Sequence, residues 1–325
     1  MHKIVLIGAG RIGRIHGRNA AANPRVELAG VVDVVDAAAQ ALAKEHGVPV
    51  RTLDDALADE SVAGVIVASS TDTHLDYSLR AAAAGKAVFC EKPIDQDLTR
   101  AKSAAKELAR ARLLLAFNRR FDPNFQALKA KLDSGAVGRL ESLQITSNDP
   151  APPPPSYVAV SGGLFKDMAI HDFDMARWLL GEEPVEVYAS GSCLVDPEIG
   201  KLGDVDTART VLKTTGGRLC VISNSRRSGF GYDQRIEAYA SAGMVRADNV
   251  LESTVQAWNE NGAAADKFQN FFLDRYAEAY RREMEHFADI LDGAAPSVGY
   301  ADGVAALALA EAAAESSRSG KVVRL

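Results

Sequence analysis

The sequence predicts an α/β chain of two domains. Residues 1–119 form an N-terminal, doubly wound parallel sheet, and residues 120–325 form an α+β domain on a large, mostly antiparallel open sheet. Three observations predict this. Short, unbroken apolar runs alternate with helical patterns as far as Phe117, as expected of strands buried on both faces of a parallel sheet. A glycine-rich turn, Gly8-Ala9-Gly10-Arg11-Ile12-Gly13, joins the first run to the first helix. Beyond Val185 the chain reads as strands in close succession, at 185–195, 207–214, 218–225, 234–241 and 244–247, with hairpin signals at Thr215-Gly216-Gly217 and Ala242-Gly243.

Each element of the first half has a local reason. Residues 3–7 are the first buried strand. In G-x-G-x-x-G the first glycine permits the tight turn, the second admits a pyrophosphate to the backbone, and the third lets the helix lie close. The helix start offers free N–H groups to phosphates. The second strand, 26–32, ends in Asp33, 20 residues past Gly13, where a carboxylate accepts from both ribose hydroxyls and repels a 2′-phosphate. No arginine follows it closely, which favours NAD over NADP. The strand over 62–69 leads into Ser70-Thr71-Asp72-Thr73-His74, where Thr71, Asp72 or Thr73 is placed to cap the next helix. That loop also lies at the carboxyl ends of the strands, where such sheets bind ligands. The strand over 87–90 ends in Glu91-Lys92-Pro93, which puts a cation at the cofactor cleft unless Lys92 is simply solvated. A helix over 97–111 and a strand over 113–117 complete this Rossmann-type domain.

The second half is centred on Gly162-Gly163-Leu164-Phe165-Lys166-Asp167-Met168-Ala169-Ile170-His171-Asp172-Phe173-Asp174. This reads as one helix ended by Gly181, with Asp167 and His171 four apart on one face and Asp174 on the same stripe. Ala169, Phe173, Ala176 and Leu180 form its core side. A capped helix with a satisfied histidine is the plainer reading of that stretch taken alone. A helix over 125–132, a half-buried strand over 139–147 and a stiff segment of five prolines between Pro150 and Pro155 precede it. A long helix over 267–292 carries a core stripe of Phe268, Phe272, Tyr276, Tyr280, Met284, Phe287 and Leu291, and a helix over 301–316 follows. Val187, Leu212, Cys220, Ile222 and Ile236 imply more apolar sheet surface than one covered face needs, hence a homo-oligomer.

Composition narrows the classes. The 325 residues have a net charge of −6, which argues against nucleic acid or an anionic membrane as partner. Cys90, Cys193 and Cys220 form neither a disulfide framework nor a zinc motif, which suits a reduced, cytoplasmic compartment and no metal. The first apolar run is too short for a signal peptide, and no stretch approaches a membrane span.

Taken together, these motifs resemble the Gfo/Idh/MocA family of nicotinamide-dependent sugar and polyol oxidoreductases over essentially the whole chain. The resemblance rests on the Gly8 turn, Thr71-Asp72-Thr73-His74, Glu91-Lys92-Pro93 and Asp167-x-x-x-His171. Phe117-Asn118-Arg119-Arg120-Phe121-Asp122, Asp149-Pro150, Ser161-Gly162-Gly163 through Gly181, and Gly231-Tyr232-Asp233 make it most similar to bacterial inositol 2-dehydrogenases. Asn148 departs from the arginine expected before that Asp-Pro. The resemblance implies NAD-dependent oxidation of a cyclic polyol, myo-inositol to its 2-keto product, by a cytoplasmic homotetramer. The alternatives are another inositol isomer or an aldose, and more distantly an NAD-binding regulator. It implies that His171 is the general base, oriented by Asp167, and that Lys92 bonds the reacting oxygen. Gly8, Gly10, Arg11, Ile12, Gly13, Asp33, Ser69, Thr71, His74, Glu91 and Lys92 would hold NAD. Arg120, Asp149, Tyr232 and Asp172 would meet the polyol together with Lys92, Asp167 and His171, although Arg120 could instead anchor Asp122, Tyr232 could be a packed sheet residue, and Asp172 a solvated acid.

Overall fold

The structure, a computed structural model, describes all 325 residues. They fall into two compact units, Met1–Phe121 with Ala279–Leu307, and Asp122–Glu278 with Ala308–Leu325. The C-terminal helices are thus shared, where the sequence suggests one division near residue 119.

The first unit alternates strand and helix. β1 (His2–Ile7) leads to α1 (Arg11–Ala22), β2 (Val26–Val32) to α2 (Asp36–His46) and α3 (Leu53–Ala58), and β3 (Val62–Val67) to α4 (His74–Ala83). β4 (Ala87–Cys90), α5 (Leu98–Ser103), α6 (Ala105–Leu108) and β5 (Leu113–Leu115) complete it. The helix expected over 97–111 is therefore two short ones, broken at Ala104. The five strands run parallel in the order β2-β1-β3-β4-β5. Ile4, Val5, Leu6, Val65, Ile66 and Phe89 are fully buried, as apolar runs covered on both faces require. The direction of winding reverses between β1 and β3, and a sheet of this order binds its ligand at that switch point, beyond the strand ends. Segment Ala279–Leu307 packs here too: Phe287 lies 5.5 Å from Phe89, ring to ring.

The second unit opens with α7 (Pro123–Asp133), capped by Asp122, which accepts from the amides of Asn124 and Phe125. β6 (Leu140–Asn148), α8 (Pro155–Ser161), α9 (Gly163–Asp167), α10 (Ile170–Leu180), β7 (Pro184–Ser192) and α11 (Pro197–Lys201) follow. Then come β8 (Thr207–Thr214), β9 (Leu219–Ser225), β10 (Asp233–Ala240), β11 (Gly243–Ala247) and a hairpin of β12 (Gln256–Asn259) and β13 (Gly262–Ala265). α12 (Phe272–Arg275), α13 (Ala277–Leu291), α14 (Tyr300–Ser319) and β14 (Val323–Arg324) close the chain. The large sheet runs β11-β10-β6-β9-β8-β7-β14, and its one parallel pair is β6 with β9.

Register sorts the faces of this sheet. Val187, Leu212, Cys220, Leu143 and Ala238 pair in one transverse row, and all are buried. Ile222 and Ile236 lie in the next row on that side, and α10 packs on β6. These residues therefore belong to the covered face, a correction to their use as a sign of an uncovered one. The open face carries a different apolar set: Tyr188, Val211, Leu219, Tyr239 and Met244, between 37% and 44% exposed.

Two further expectations change. The long helix expected from Lys267 is a short turn, Phe272–Arg275, and a separate helix from Ala277, and Phe268 lies outside both, taken up in a bridge to Leu251 and a ring contact with Phe230. The β12–β13 hairpin was not expected, its strands being alanine-rich and wholly exposed. No helix is long and apolar enough to cross a membrane.

Candidate active site

In the first unit the glycines meet their three expected demands. Gly8 has φ +107°, and a Cβ there would lie 2.3 Å from the Ala68 carbonyl oxygen. A Cβ on Gly13 would lie 1.9 Å from the Gly8 oxygen. At Gly10 a Cβ would meet nothing within 4 Å, so the N-terminus of α1 faces open space. Gly10 is also the N-cap of that helix and supplies no side chain, so its first amides have no side-chain cap. A pyrophosphate fits these donors. Arg11 is exposed and Ile12 half-buried on the first turn.

Asp33 follows β2 and accepts from the amides of Ala9 (2.6 Å) and Val35 (2.8 Å). Each carboxylate oxygen has a second lone pair, so both keep capacity to accept a further hydrogen bond. The carboxylate borders an open cleft of about 980 Å³ lined by Val32, Val34, Val50, Arg51 and Thr52. Arg51 donates to Asp59 (2.9 Å) and to the Asp55 carbonyl (3.1 Å), so its charge is already answered. That is consistent with a cleft for NAD rather than for an extra phosphate.

The loop after β3 is held by its own side chains. Thr73 donates to the Ser70 carbonyl (2.7 Å), so the 2.7 Å contact between Ser69 and Thr73 hydroxyls has Ser69 as donor. Thr71 opens the short 3₁₀ turn Thr71–Thr73. No side chain of Thr71, Asp72 or Thr73 caps α4, a correction to the capping reading. The Thr73 hydroxyl faces back toward Ser70 instead. His74 is 2% exposed, with Nδ1 2.8 Å from the Pro93 carbonyl and Nε2 3.1 Å from the Ser69 carbonyl. Its ring ties this loop to the Glu91-Lys92-Pro93 turn, whose Lys92–Pro93 bond is cis. Lys92 stands just past the end of β4.

Beneath that turn lies a buried cluster that the sequence reading missed. His16 Nε2 is 2.7 Å from Glu91 Oε1, and the Lys92 amide donates to Glu91 Oε2 (3.3 Å). Glu283 of α13 is fully buried, and neither of its carboxyl oxygens has a hydrogen-bond partner. Burial, and then the charge of Glu91, hold Glu283 well above the usual carboxyl range. Its neutral form is therefore favoured. Arg120, in the same unit, donates to Asp302 (2.9 Å). It does not anchor Asp122, which pairs instead with Arg275 in the other unit.

In the second unit the Asp167–His171 stretch is not one helix. α9 starts at two successive glycines in the left-handed region, Gly162 (φ +85°) and Gly163 (φ +83°), and a Cβ on Gly163 would lie 2.9 Å from Asp204 Oδ1. Asp204 accepts from the Leu164 amide with both oxygens (3.1 Å each). At the far end, the amides of Met168 and Ala169 both reach the Leu164 carbonyl (3.0 Å each). The second spans five residues, a wide turn of the kind found at functional sites. It separates Asp167 from His171, which sits in the first turn of α10, so the two are not i and i+4 of one regular helix. The ends are held by different anchors. Asp167 accepts from Tyr157 Oη (2.8 Å) and from both terminal nitrogens of Arg226 (3.2 Å each). Asp172 is fully buried and accepts from Asn224 (2.8 Å), which overturns its reading as a solvated acid. Asp174 is fully buried as well.

The remaining candidates lie at the end of β6 and the start of β10. The Asp149 amide donates to the Ser225 carbonyl (2.9 Å). Asn148 donates to Asp233 (3.1 Å), so the departure at that position is absorbed into the sheet. Tyr232 is 7% exposed, with its ring 6.0 Å from that of Tyr276.

Family models match this chain twice: the oxidoreductase family with an NAD-binding Rossmann fold over residues 2–118, and the GFO/IDH/MocA C-terminal domain over residues 125–246. The chain belongs to the Gfo/Idh/MocA family. It is 46% identical over 314 residues to the inositol 2-dehydrogenase of Rhizobium meliloti (strain 1021), covering 96% of this chain and 95% of that one. The crystal structure of a myo-inositol dehydrogenase from Corynebacterium glutamicum superposes with a TM-score of 0.95 at 43% identity, covering 99% and 98% of the two chains. That of scyllo-inositol dehydrogenase from Lactobacillus casei, with bound NAD(H) and scyllo-inositol, gives 0.90 at 30% identity, covering 100% and 99%. Like other members of this family the protein is an NAD-dependent dehydrogenase acting on a CH–OH group.

The buried acid at Glu283 has a stability consequence. Its folded pKa lies above the ordinary glutamate value of about 4.3, so the unfolded state loses its proton first as pH rises. Stability from this group is full below that value and falls as pH climbs toward the raised one. Glu283→Gln removes the dependence. Thermal melts are expected to place the variant above the parent at pH 9, with the gap closing toward pH 4.5; a gap that does not change with pH contradicts a neutral Glu283.

Proposed function

We propose that the chain oxidises myo-inositol to its 2-keto product with NAD. The observation that carries the substrate is the 46% identity, over nearly the full length of both chains, to an inositol 2-dehydrogenase. When bound, the nicotinamide accepts a hydride at C4. The residues of this chain supply the rest. His171 takes the proton of the reacting hydroxyl, since a neutral imidazole is a competent base near neutral pH. Asp167 fixes and stabilises the imidazolium that results. Lys92 donates to the reacting oxygen and steadies the charge that develops on it. The net change is polyol and NAD to ketone, NADH and a proton. Asp149 and Tyr232 meet the remaining hydroxyls, while Arg120 is held by Asp302. The glycine turn, Asp33, Ser69, Thr71, His74 and Glu91 form or brace the NAD site.

A second substrate reading has its own support. The Lactobacillus casei protein binds scyllo-inositol, although the likeness to it is weaker. A cytoplasmic setting suits three free thiols. The apolar open face of the large sheet supports assembly through a second copy of this chain, which we read as part of a tetramer, as the family resemblance suggests.

Initial rates of NADH formation on myo-inositol, scyllo-inositol, chiro-inositol, glucose and xylose, each with NAD and NADP, test the substrate. Turnover on myo-inositol with NAD is expected to lead the panel, and His171→Ala to lower it by about a thousandfold or more. A lead for another member moves the substrate, and an active His171→Ala removes the base. Sedimentation at micromolar concentration is expected to give one species heavier than the 34.6 kDa monomer; a monomer contradicts the assembly.

A further inference from the structure

The largest fully buried side chain of the protein is a charged one. Arg226 is 1% exposed and follows β9 in phase with Cys220, Ile222 and Asn224, the inward positions of that strand. Its amide donates to the Asp206 carbonyl (2.8 Å), which fixes the backbone at this point. Its Nη1 and Nη2 both stand 3.2 Å from Asp167 Oδ2, and Nη2 is 3.9 Å from Asp204 Oδ2. Its Nε has no partner. Burying a guanidinium is costly and is offset only by close, well-formed partners. For stability alone an apolar side chain would serve as well at such a position.

We propose that Arg226 is the positioning residue of Asp167: it fixes the orientation of that carboxylate and balances its charge, and thereby sets the basicity of His171. This rests on the base assigned to His171 above. An arginine does not lose its proton in a protein, so its charge is permanent. Oδ2 of Asp167 is held by the guanidinium, and Oδ1 by the Tyr157 hydroxyl at 2.8 Å. Crowding of that phenol, and then the charge of Asp167, push Tyr157 upward, so it is a neutral donor throughout the working range. The carboxylate is thus held at both oxygens, by one cation and one neutral hydroxyl.

The charges around it come from each neighbouring element. Arg226 comes from the end of β9, Tyr157 from α8 and, on the same guanidinium, Asp204 from the loop before β8, while His171 opens the next helix, α10, four residues along the chain from Asp167. Asp149, past the end of β6, acts on Tyr157 from a distance. Two carboxylates, Asp167 and Asp204, share one guanidinium. Removing that cation leaves the cluster one unit more negative. A protonated imidazole at His171, four residues from Asp167 in the chain, is then stabilised, and the histidine holds its proton to higher pH. The acid limb of kcat/KM must move upward.

The test uses Arg226→Gln, which keeps hydrogen-bond donors without charge, and Arg226→Lys, which keeps charge without the fork. The His171 imidazole is titrated by NMR in the full chain, its signal assigned by loss in His171→Ala. Arg226→Gln is expected to raise its midpoint by about one pH unit, and Arg226→Lys to restore it to within a few tenths. This readout needs no substrate, so it stands even if myo-inositol is the wrong polyol, a failure that the rate panel shows separately. On the substrate turned over, Arg226→Gln is expected to lower kcat by roughly 10- to 100-fold with NAD affinity unchanged, and to cost nothing further in an Asp167→Asn background. A midpoint that stays in place, or losses that multiply in the double variant, would overturn the proposal and leave Arg226 as a structural staple.

Discussion

Everything at the cofactor end of this protein depends on how closely two strand ends approach. Gly8 and Ala68 are packed so tightly that a single methyl group would overlap the Ala68 carbonyl. That contact sets β1 beside β3 at the point where the sheet reverses its winding. It brings the Gly8–Gly13 turn and the Ser69–His74 loop to one crevice. His74 then passes the constraint to the next strand, since its ring bridges the Ser69 and Pro93 carbonyls. Lys92 is thus placed at a strand end by a chain of backbone contacts.

Buried charge is handled in two ways. Where two charges can meet, they are paired: Asp122 caps α7 with one oxygen and takes Arg275 on both, each side chain nearly inaccessible. Where only like charge is near, the neutral form is favoured, as at Glu283 beside Glu91. The first solution fixes geometry, because each lone pair is claimed. The second needs no partner but makes stability depend on pH. Asp167 belongs to the first kind, with Tyr157 on one oxygen and Arg226 on the other.

Much of this was legible in the residues. The glycine spacing gives the turn, the open approach and the close helix because each is a local steric demand. Strand runs were found to within a few residues, and β8 was found at both ends. The errors lie where local pattern yields to distant contacts. Asp167 and His171 look like one helical face, but Asp204, Arg226 and Asn224 pull on three points of that segment and open a wide turn. The apolar residues used to infer an open sheet face lie on the covered one, since parity along a strand says which residues share a face and not which face is covered. Two omissions had a signal. Arg226 keeps the alternation of Cys220 and Ile222 beyond the strand, and Glu283 sits three past Tyr280 and four before Phe287, within the core stripe. The hairpin at Asn261-Gly262 was also announced by its dipeptide.

Transfer of a hydride from C2 of myo-inositol to NAD is followed with myo-inositol carrying deuterium at C2. After turnover, proton NMR of the recovered cofactor reads where that deuterium went. The expected product is NADH with one deuterium at C4 of the nicotinamide, formed more slowly than from the unlabelled polyol if hydride transfer limits turnover. NADH formed without deuterium would mean that another carbon is oxidised, and no NADH at all would mean that myo-inositol is not the substrate.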